Sequence, residues 1–438
     1  MNRIMKDSGI DWLGEIPEEW GINRLKYISE IVLGKMLCNE DKGGFYKKPY
    51  LKSKNIQWLK VDVSSVEEMW FATDELDLYR LKQGDLILSE GGEVGKTCIW
   101  NNELKECYIQ NSAHKVTINT DNYNRYFLYL FNIYGDGFES MVFKISIAHL
   151  TKEKLMNVPV VIPSLNEQKA IANYLDKKCK KIDKLISLEE TAIIELKEYK
   201  KSIIQKAVTK GIIKCRKLKN SGIDWIGEIP EEWETLKIKF LATEPNTIFI
   251  DGDWIESPHI VNEGIRYLTT GNVGEGVYKE QGAGFITKET FDELNCLKVF
   301  PEDLVISRLN EPIGRSCILP KNEEPYYIVA VDIVILRPDK RHNKKYLMYV
   351  MNSPLYSHEA GLTAKGTTMQ RISRTLLGNI VLPIPSFKEQ KEIVEYLDKK
   401  TNIVDNLISL KQQKITELKE YKKSLIYEYV TGKKEVSV

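Results

Sequence analysis

A chain of 438 residues with 42% hydrophobic and 10% aromatic content has enough apolar material for two or three cores, which excludes a disordered chain. No apolar run approaches the ~20 residues that cross a bilayer, and the opening MNRIMKDSGIDW lacks the apolar core of a signal peptide, so a cytoplasmic protein without a membrane partner is expected. The net charge is only +1, yet residues 177–219 hold 14 Lys/Arg against 5 Asp/Glu, so any polyanion would meet local patches rather than a general basic surplus.

In chain order, the first element is a phrase that returns. Residues 7–20 read DSGIDWLGEIPEEW and residues 220–233 read NSGIDWIGEIPEEW, with twelve of fourteen positions matching. ELKEYKKS likewise occurs at 195–202 and again at 417–424. The chain is therefore two copies of one module, and the copies diverge strongly between these anchors. A repeated frame around unlike inserts predicts two related but non-identical binding surfaces. The offset between matching positions grows from 213 (Trp20 with Trp233) to 222 (Gln168 with Gln390), making the second insert nine residues longer.

Residues 42–61 carry Lys42, Lys47, Lys48, Lys52, Lys54 and Lys60 among Phe45, Tyr46, Tyr50 and Trp58, with no acid. Two readings are open: lysines that contact phosphates without reading sequence, or a solvated charged loop. Next, QGDLILS at 83–89 answers PEDLVIS at 301–307, and both read as short buried strands after a turn. EGGEVGKT at 90–97 resembles a phosphate-binding loop, but Glu90 stands where that motif needs glycine, and the second copy has Arg315 in place of lysine. A glycine-permitted turn that offers one basic residue, Lys96 or Arg315, to a phosphate backbone is the preferred reading.

HKVTI at 114–118 and IVAVDIVIL at 328–336 have the β-branched density of strands. RYFLYLFN at 125–132 and KYLMYVMN at 345–352 are too rich in apolar residues for solvent-facing helices and read as core helices, so each insert is expected to be one α/β domain. Residues 360–388 hold no acid and include Lys365, Thr367, Thr368, Gln370, Arg371 and Arg374. These groups suit base edges and phosphates, and the aligned first-copy stretch supplies Lys144, Ser146, His149 and Lys152.

Each insert closes on a Pro-punctuated strand, 157–163 and 379–385. Ser164 with Glu167 and Ser386 with Glu389 then fit the capping box that starts a helix. Beyond it, apolar residues recur every seven positions, at Leu175, Ile182, Leu196 and Ile203 and at Leu397, Val404, Leu418 and Leu425, as in coiled-coil helices. Gly211 and Gly432 are suitable helix stops. Glu189 and Lys411 break the two rows at matching midpoints. In an antiparallel pair with pseudo-twofold symmetry they would face one another as a register lock, or else stand as two solvated side chains. The 41 residues after Gln168 would make a rod of about 60 Å.

No metal-ligand spacing, disulfide frame, dinucleotide fingerprint or methyltransferase tetrad is found, and no catalytic constellation emerges. With its duplicated [DN]SGIDW[LI]GEIPEEW openings and IPS[LF][NK]EQK helix starts, the chain resembles, over essentially its whole length, the specificity subunit of type I restriction-modification systems. That resemblance implies two tandem α/β target-recognition domains, at 1–163 and 213–385. They would be joined by two long helices, at 164–212 and 386–438, forming an antiparallel coiled coil that sets the spacing between half-sites. It implies a subunit that is not itself catalytic and that reads an asymmetric bipartite double-stranded DNA target. The expected partners are two methyltransferase subunits, which use S-adenosylmethionine, and restriction motor-nuclease subunits. Tyr199, Lys200, Tyr421 and Lys422, shared by both copies, become candidates for contacting a partner, or alternatively for packing the helices. A coiled-coil scaffold that links two protein-binding domains without touching DNA is the competing expectation.

Overall fold

Ser164 and Ser386 each accept a hydrogen bond from the backbone N–H three residues on, at 3.3 Å in both cases, and start helices of 46 and 44 residues. In this computed structural model the described residues are 3–10, 13–91, 93–141, 150–282, 284–321, 324–366 and 370–436. They form two compact units: one of Met1–Glu190 with Gln413–Val438, the other of Thr191–Gln412. The long helices Leu165–Lys210 and Phe387–Val430 each contribute to both units.

The glutamates of the expected capping boxes have a different task. Glu167 accepts from the indole Nε1 of Trp20 at 3.0 Å and pairs with Arg3 at 2.7 Å. Glu389 accepts from Trp233 at 2.9 Å and pairs with Arg216. A buried indole N–H needs an acceptor, and the carboxylate at the helix start supplies it, so the repeated opening phrase is tied to the repeated helix start. Gln168 and Gln390 complete the motif. The Gln168 amide accepts from Tyr123 N–H at 2.8 Å and donates to the Pro163 carbonyl at 2.9 Å. Gln390 does the same with Asn343 N–H, at 2.7 Å, and the Pro385 carbonyl, at 2.9 Å.

Unit 1 contains a four-stranded antiparallel sheet in the order Thr97–Ile99, Leu86–Ser89, Ala113–Ile118, Ser29–Leu33. A three-stranded sheet places Tyr46–Leu51 between Tyr108–Ile109 and Glu67–Phe71, and Gly21–Arg24 pairs with Pro159–Ile162. Unit 2 repeats this with Ser316–Ile318, Leu304–Ser307, Ile333–Arg337 and Ile248–Asp251 in the larger sheet. The segment 328–336 is therefore two strands in different sheets. A turn, closed by the Ile333 N–H to the Ala330 carbonyl at 2.8 Å, lies between them.

The aromatic helices sit in the cores as expected. Tyr126, Phe127, Leu130 and Phe131 of Asn124–Met141 are fully buried, as are Tyr346, Leu347, Val350 and Met351 of Lys344–Met351. Each is fastened to a long helix through a carboxylate. Asp176 accepts from Arg125 and from Tyr129 Oη at 2.7 Å, and Asp398 accepts from Lys345 and Tyr349 Oη, each at 2.7 Å.

Leu175, Ile182, Leu397, Val404 and Leu425 of the heptad rows are buried. Within unit 1 the helices run antiparallel, because Asp183 pairs with Lys422 and Glu189, further along, pairs with Lys414, earlier in the other helix, both at 2.7 Å. Within unit 2 Lys200 pairs with Asp405 at 2.7 Å, and Gly211 lies beside Glu389. Gly211 and Gly432 end the helices at φ +72°. At Gly432 a Cβ would fall 2.3 Å from Pro17, so only glycine fits that close approach.

Candidate nucleic-acid interface

In unit 1 Lys47, Lys48, Lys52 and Lys54 lie on and just after the strand Tyr46–Leu51. Its antiparallel neighbour Glu67–Phe71 brings the acids that the local sequence lacks. Lys52 and Lys54 reach Glu67 at 2.7 and 2.9 Å, Lys48 reaches Glu106 at 2.8 Å, and Lys47 stands 3.8 Å from Glu68. Hydrogen bonds from Lys52, Lys54 and Tyr50 hold the Glu67 carboxyl at about 2. The Tyr50 hydroxyl is pushed up to about 12, first by burial and then by Glu67. Surface pairs of this kind are worth at most about 1 kcal/mol each, so a phosphate can replace the carboxylate at small cost.

Lys96 follows a turn with Gly95 at φ +80° and pairs with Glu93 at 2.5 Å. The next residue opens the strand Thr97–Ile99 rather than a helix, so the stretch lacks the helix N-terminus that a phosphate-binding loop requires. The matching Arg315 is different. Its buried guanidinium donates to the carbonyls of Val273, Leu309, Asn310, Pro312 and Thr270 at 2.7–3.3 Å. Burial lowers its pKa, and its donors are committed to backbone, so Arg315 ties together two segments, 270–273 and 309–312, and is removed from the expected phosphate contacts.

Lys152 is exposed at the start of the short helix Lys152–Met156, whereas Lys144, Ser146, His149, Thr367 and Thr368 lie outside the described residues. In unit 2 Lys365 forms an isolated antiparallel bridge with Arg371 and is exposed, while Gln370 gives its carbonyl to the Asn310 N–H at 3.2 Å. Arg371 and Arg374 stand at the start of Arg374–Asn379, with side chains 48% and 42% exposed. Arg371 lies 2.7 Å from Asp332, and Arg374 lies 3.6 Å from Asp251. Behind them the buried Arg308 stands 3.1 Å from Asp251 and 3.6 Å from Asp332, and donates to the carbonyls of Val331 and Ile372. Neither aspartate nor Arg308 is recognisable from local sequence, because four separate segments meet here, at 251, 308, 332 and 371–374.

On the long helices Tyr199 and Tyr421 are more than half exposed. Lys200 and Lys422 are instead committed to Asp405 and Asp183. These aspartates match at offset 222, as the lysines do, so the two pairs are equivalent in the two units. Glu189 takes Lys414, one helical turn from the expected Lys411. Leu185, Leu188 and Tyr421 of unit 1, and Leu407, Leu410 and Tyr199 of unit 2, are apolar or aromatic and exposed.

Residues 17–198 and 230–420 match the family described as the type I restriction modification DNA specificity domain. The chain belongs to this type I specificity family. The MjaVIII specificity subunit of Methanocaldococcus jannaschii is 26% identical over 429 residues, which cover 95% of this chain and 93% of that protein. The EcoBI specificity subunit of Escherichia coli is 23% identical over 330 residues, covering 74% and 68%. Solved structures share the fold. A chain from work on the complex assembly and conformational transition of the type I R-M system superposes with a TM-score of 0.71 at 15% identity, covering 95% of this chain and 98% of that one. The HsdS subunit from Thermoanaerobacter tengcongensis gives 0.54 at 16% identity, with the same coverage. Among the described residues of this specificity-family chain, no group of three or more His, Cys, Asp or Glu could hold a metal ion, and no helix is long and apolar enough to cross a membrane.

Proposed function

We propose that this chain acts in the cytoplasm as the non-catalytic DNA specificity subunit of a type I restriction-modification complex. In this reading residues 1–163 and 213–385 each address one half of an asymmetric bipartite target, and the long helices fix the span between the halves. The observation that carries it is one fold built twice, with the same Trp–Glu–Arg and Tyr–Asp fastenings, beneath surfaces whose charged groups differ. Two unlike reading surfaces on a repeated frame suit an asymmetric target, since identical ones would favour a palindrome.

Lys47, Lys48, Lys52, Lys54, Lys96 and Lys152 are the cations offered to phosphate in unit 1, and Lys365, Gln370, Arg371 and Arg374 the groups offered in unit 2. The exposed tyrosines and leucines of the helices suit two copies of one partner, a methyltransferase subunit that brings S-adenosylmethionine, with motor-nuclease subunits joining for restriction. Exchange of residues 24–160 for another insert of this family, followed by methylome sequencing of the host, tests the reading. One half of the methylated sequence should change; a change in both halves, or no methylation that depends on this gene, would overturn it.

A further inference from the structure

Among the described residues, four charged contacts in unit 2 are built from residue types that the matching positions of unit 1 do not have. Arg308 receives the backbone N–H of Ile372 on its carbonyl and gives its own N–H to Asp332; Glu90 makes the same two bonds with Leu150 and Ser112. Strand register equally matches Asp251 with Leu33. Where unit 2 has Arg308, Asp332 and Asp251, unit 1 therefore has Glu90, Ser112 and Leu33, and it cannot build the same cluster.

Burying Arg308 is costly, and burial lowers its pKa, so the arrangement calls for a reason beyond stability. Its guanidinium fixes the two aspartates from inside. The aspartates in turn hold Arg371 and Arg374 from outside by charge. These contacts are not aligned hydrogen bonds: Asp332 Oδ1, Asp251 Oδ1 and Arg308 Nε have none, although all three are buried. Among the described residues Arg371 and Arg374 thus meet the aspartates by charge through one end of the guanidinium, and both side chains are about half exposed and three residues apart. A half-exposed guanidinium steadied by a carboxylate behind it has the fork that matches the O6 and N7 acceptors of guanine in the major groove.

We propose that Arg371 reads a guanine in the half-site addressed by residues 213–385, with Arg374 beside it. Arg308, Asp251 and Asp332 are then positioning residues for the two guanidinium groups. The inference rests on the DNA-reading function proposed above and names what one half of the chain reads. Unit 1, lacking the cluster, reads its half-site by other contacts.

The test is selection from a random double-stranded DNA pool by the complex that the full chain forms in its host, comparing the unaltered chain with Arg371→Lys and Asp332→Asn. Lysine keeps the charge and any phosphate contact but loses the fork. The unaltered complex should select a bipartite sequence with guanine in one half. Arg371→Lys should lower the preference for that guanine on the order of ten-fold and leave the other half-site intact, which also reports a folded complex. Asp332→Asn should relax the same position. Weakening toward all sequences alike would mark a phosphate contact and overturn the proposal, as would unchanged guanine preference or a half-site without a G·C pair. If the unaltered complex selects no sequence, the DNA-reading function itself fails along with this inference.

Discussion

In unit 1 the indole of Trp20 donates to Glu167 at 3.0 Å, and in unit 2 Trp233 donates to Glu389 at 2.9 Å; Arg3 and Arg216 complete the two sets. The same agreement holds at the glutamine and aspartate contacts that join the globular part of each unit to its helices, Gln168 with Gln390 and Asp176 with Asp398. It fails at positions of equal backbone geometry that face other surroundings: Lys96 against Arg315, Glu90 against Arg308, and Asn119 against Asp339, where the last two both donate their N–H into the same backbone turn. The fold has thus been held constant by a few buried polar fastenings, while the charges around them were free to change. Matched positions therefore serve as internal controls, since one unit shows what the other does without.

The largest difference is expected at Arg315. Five backbone carbonyls accept from its buried guanidinium, so Arg315→Ala leaves several buried acceptors without donors and should cost unit 2 about 2–4 kcal/mol. Lys96→Ala removes only one pair with an exposed glutamate and should cost unit 1 less than about 1 kcal/mol. Denaturation followed by hydrogen exchange in each unit measures both; equal losses would show that Arg315 is no more structural than Lys96.

A smaller contrast depends on pH. Burial raises the Asp339 carboxyl, but the N–H groups of Thr243 and Glu244 at 2.8 and 3.1 Å and the Thr243 hydroxyl outweigh it and hold the group at about 2. A carboxylate depressed in the folded state stabilises above its unfolded value near 3.8 and loses that contribution as pH falls through about 2. Asp339→Asn, which copies Asn119 of unit 1, should destabilise unit 2 by about 1–2 kcal/mol at pH 7. The gap between the two proteins should shrink from pH 4 downward. A pH-independent gap would assign the loss to packing instead.

Repetition explains what was legible in the sequence. Every motif present twice, from the opening phrase to the Ser–x–x–Glu–Gln helix starts and the heptad rows, marks a contact that both units need. The helices, the core aromatics and the α/β class followed from those motifs. What one unit alone possesses was hidden, because it comes from strands brought together in space. Glu67 and Glu68 lie on the strand beside the lysines of residues 47–54, and Asp251 and Asp332 lie far in sequence from Arg371. Arg315 misled for a related reason. A basic residue in a polar turn has the same local sequence whether its side chain points outward, as a phosphate contact would need, or inward to organise the turn.

The smallest effect concerns the helix seam, where local sequence pointed to Lys411 and the structure gives Glu189 the ammonium of Lys414 at 2.7 Å. Glu189 is nearly buried and Lys414 more than half exposed, so the pair is only partly desolvated and should couple by about 0.2–1 kcal/mol. Charge reversals Glu189→Lys and Lys414→Glu, alone and combined, isolate that term, and the cycle with Lys411→Glu supplies the comparison. Greater coupling to Lys414 would place the register determinant one turn along the second helix, within unit 1. Greater coupling to Lys411 would restore the lock at matching midpoints. Because like charges at a seam repel, each single reversal should lower the thermal midpoint by a few degrees at low salt, and less at high salt if the interaction is electrostatic.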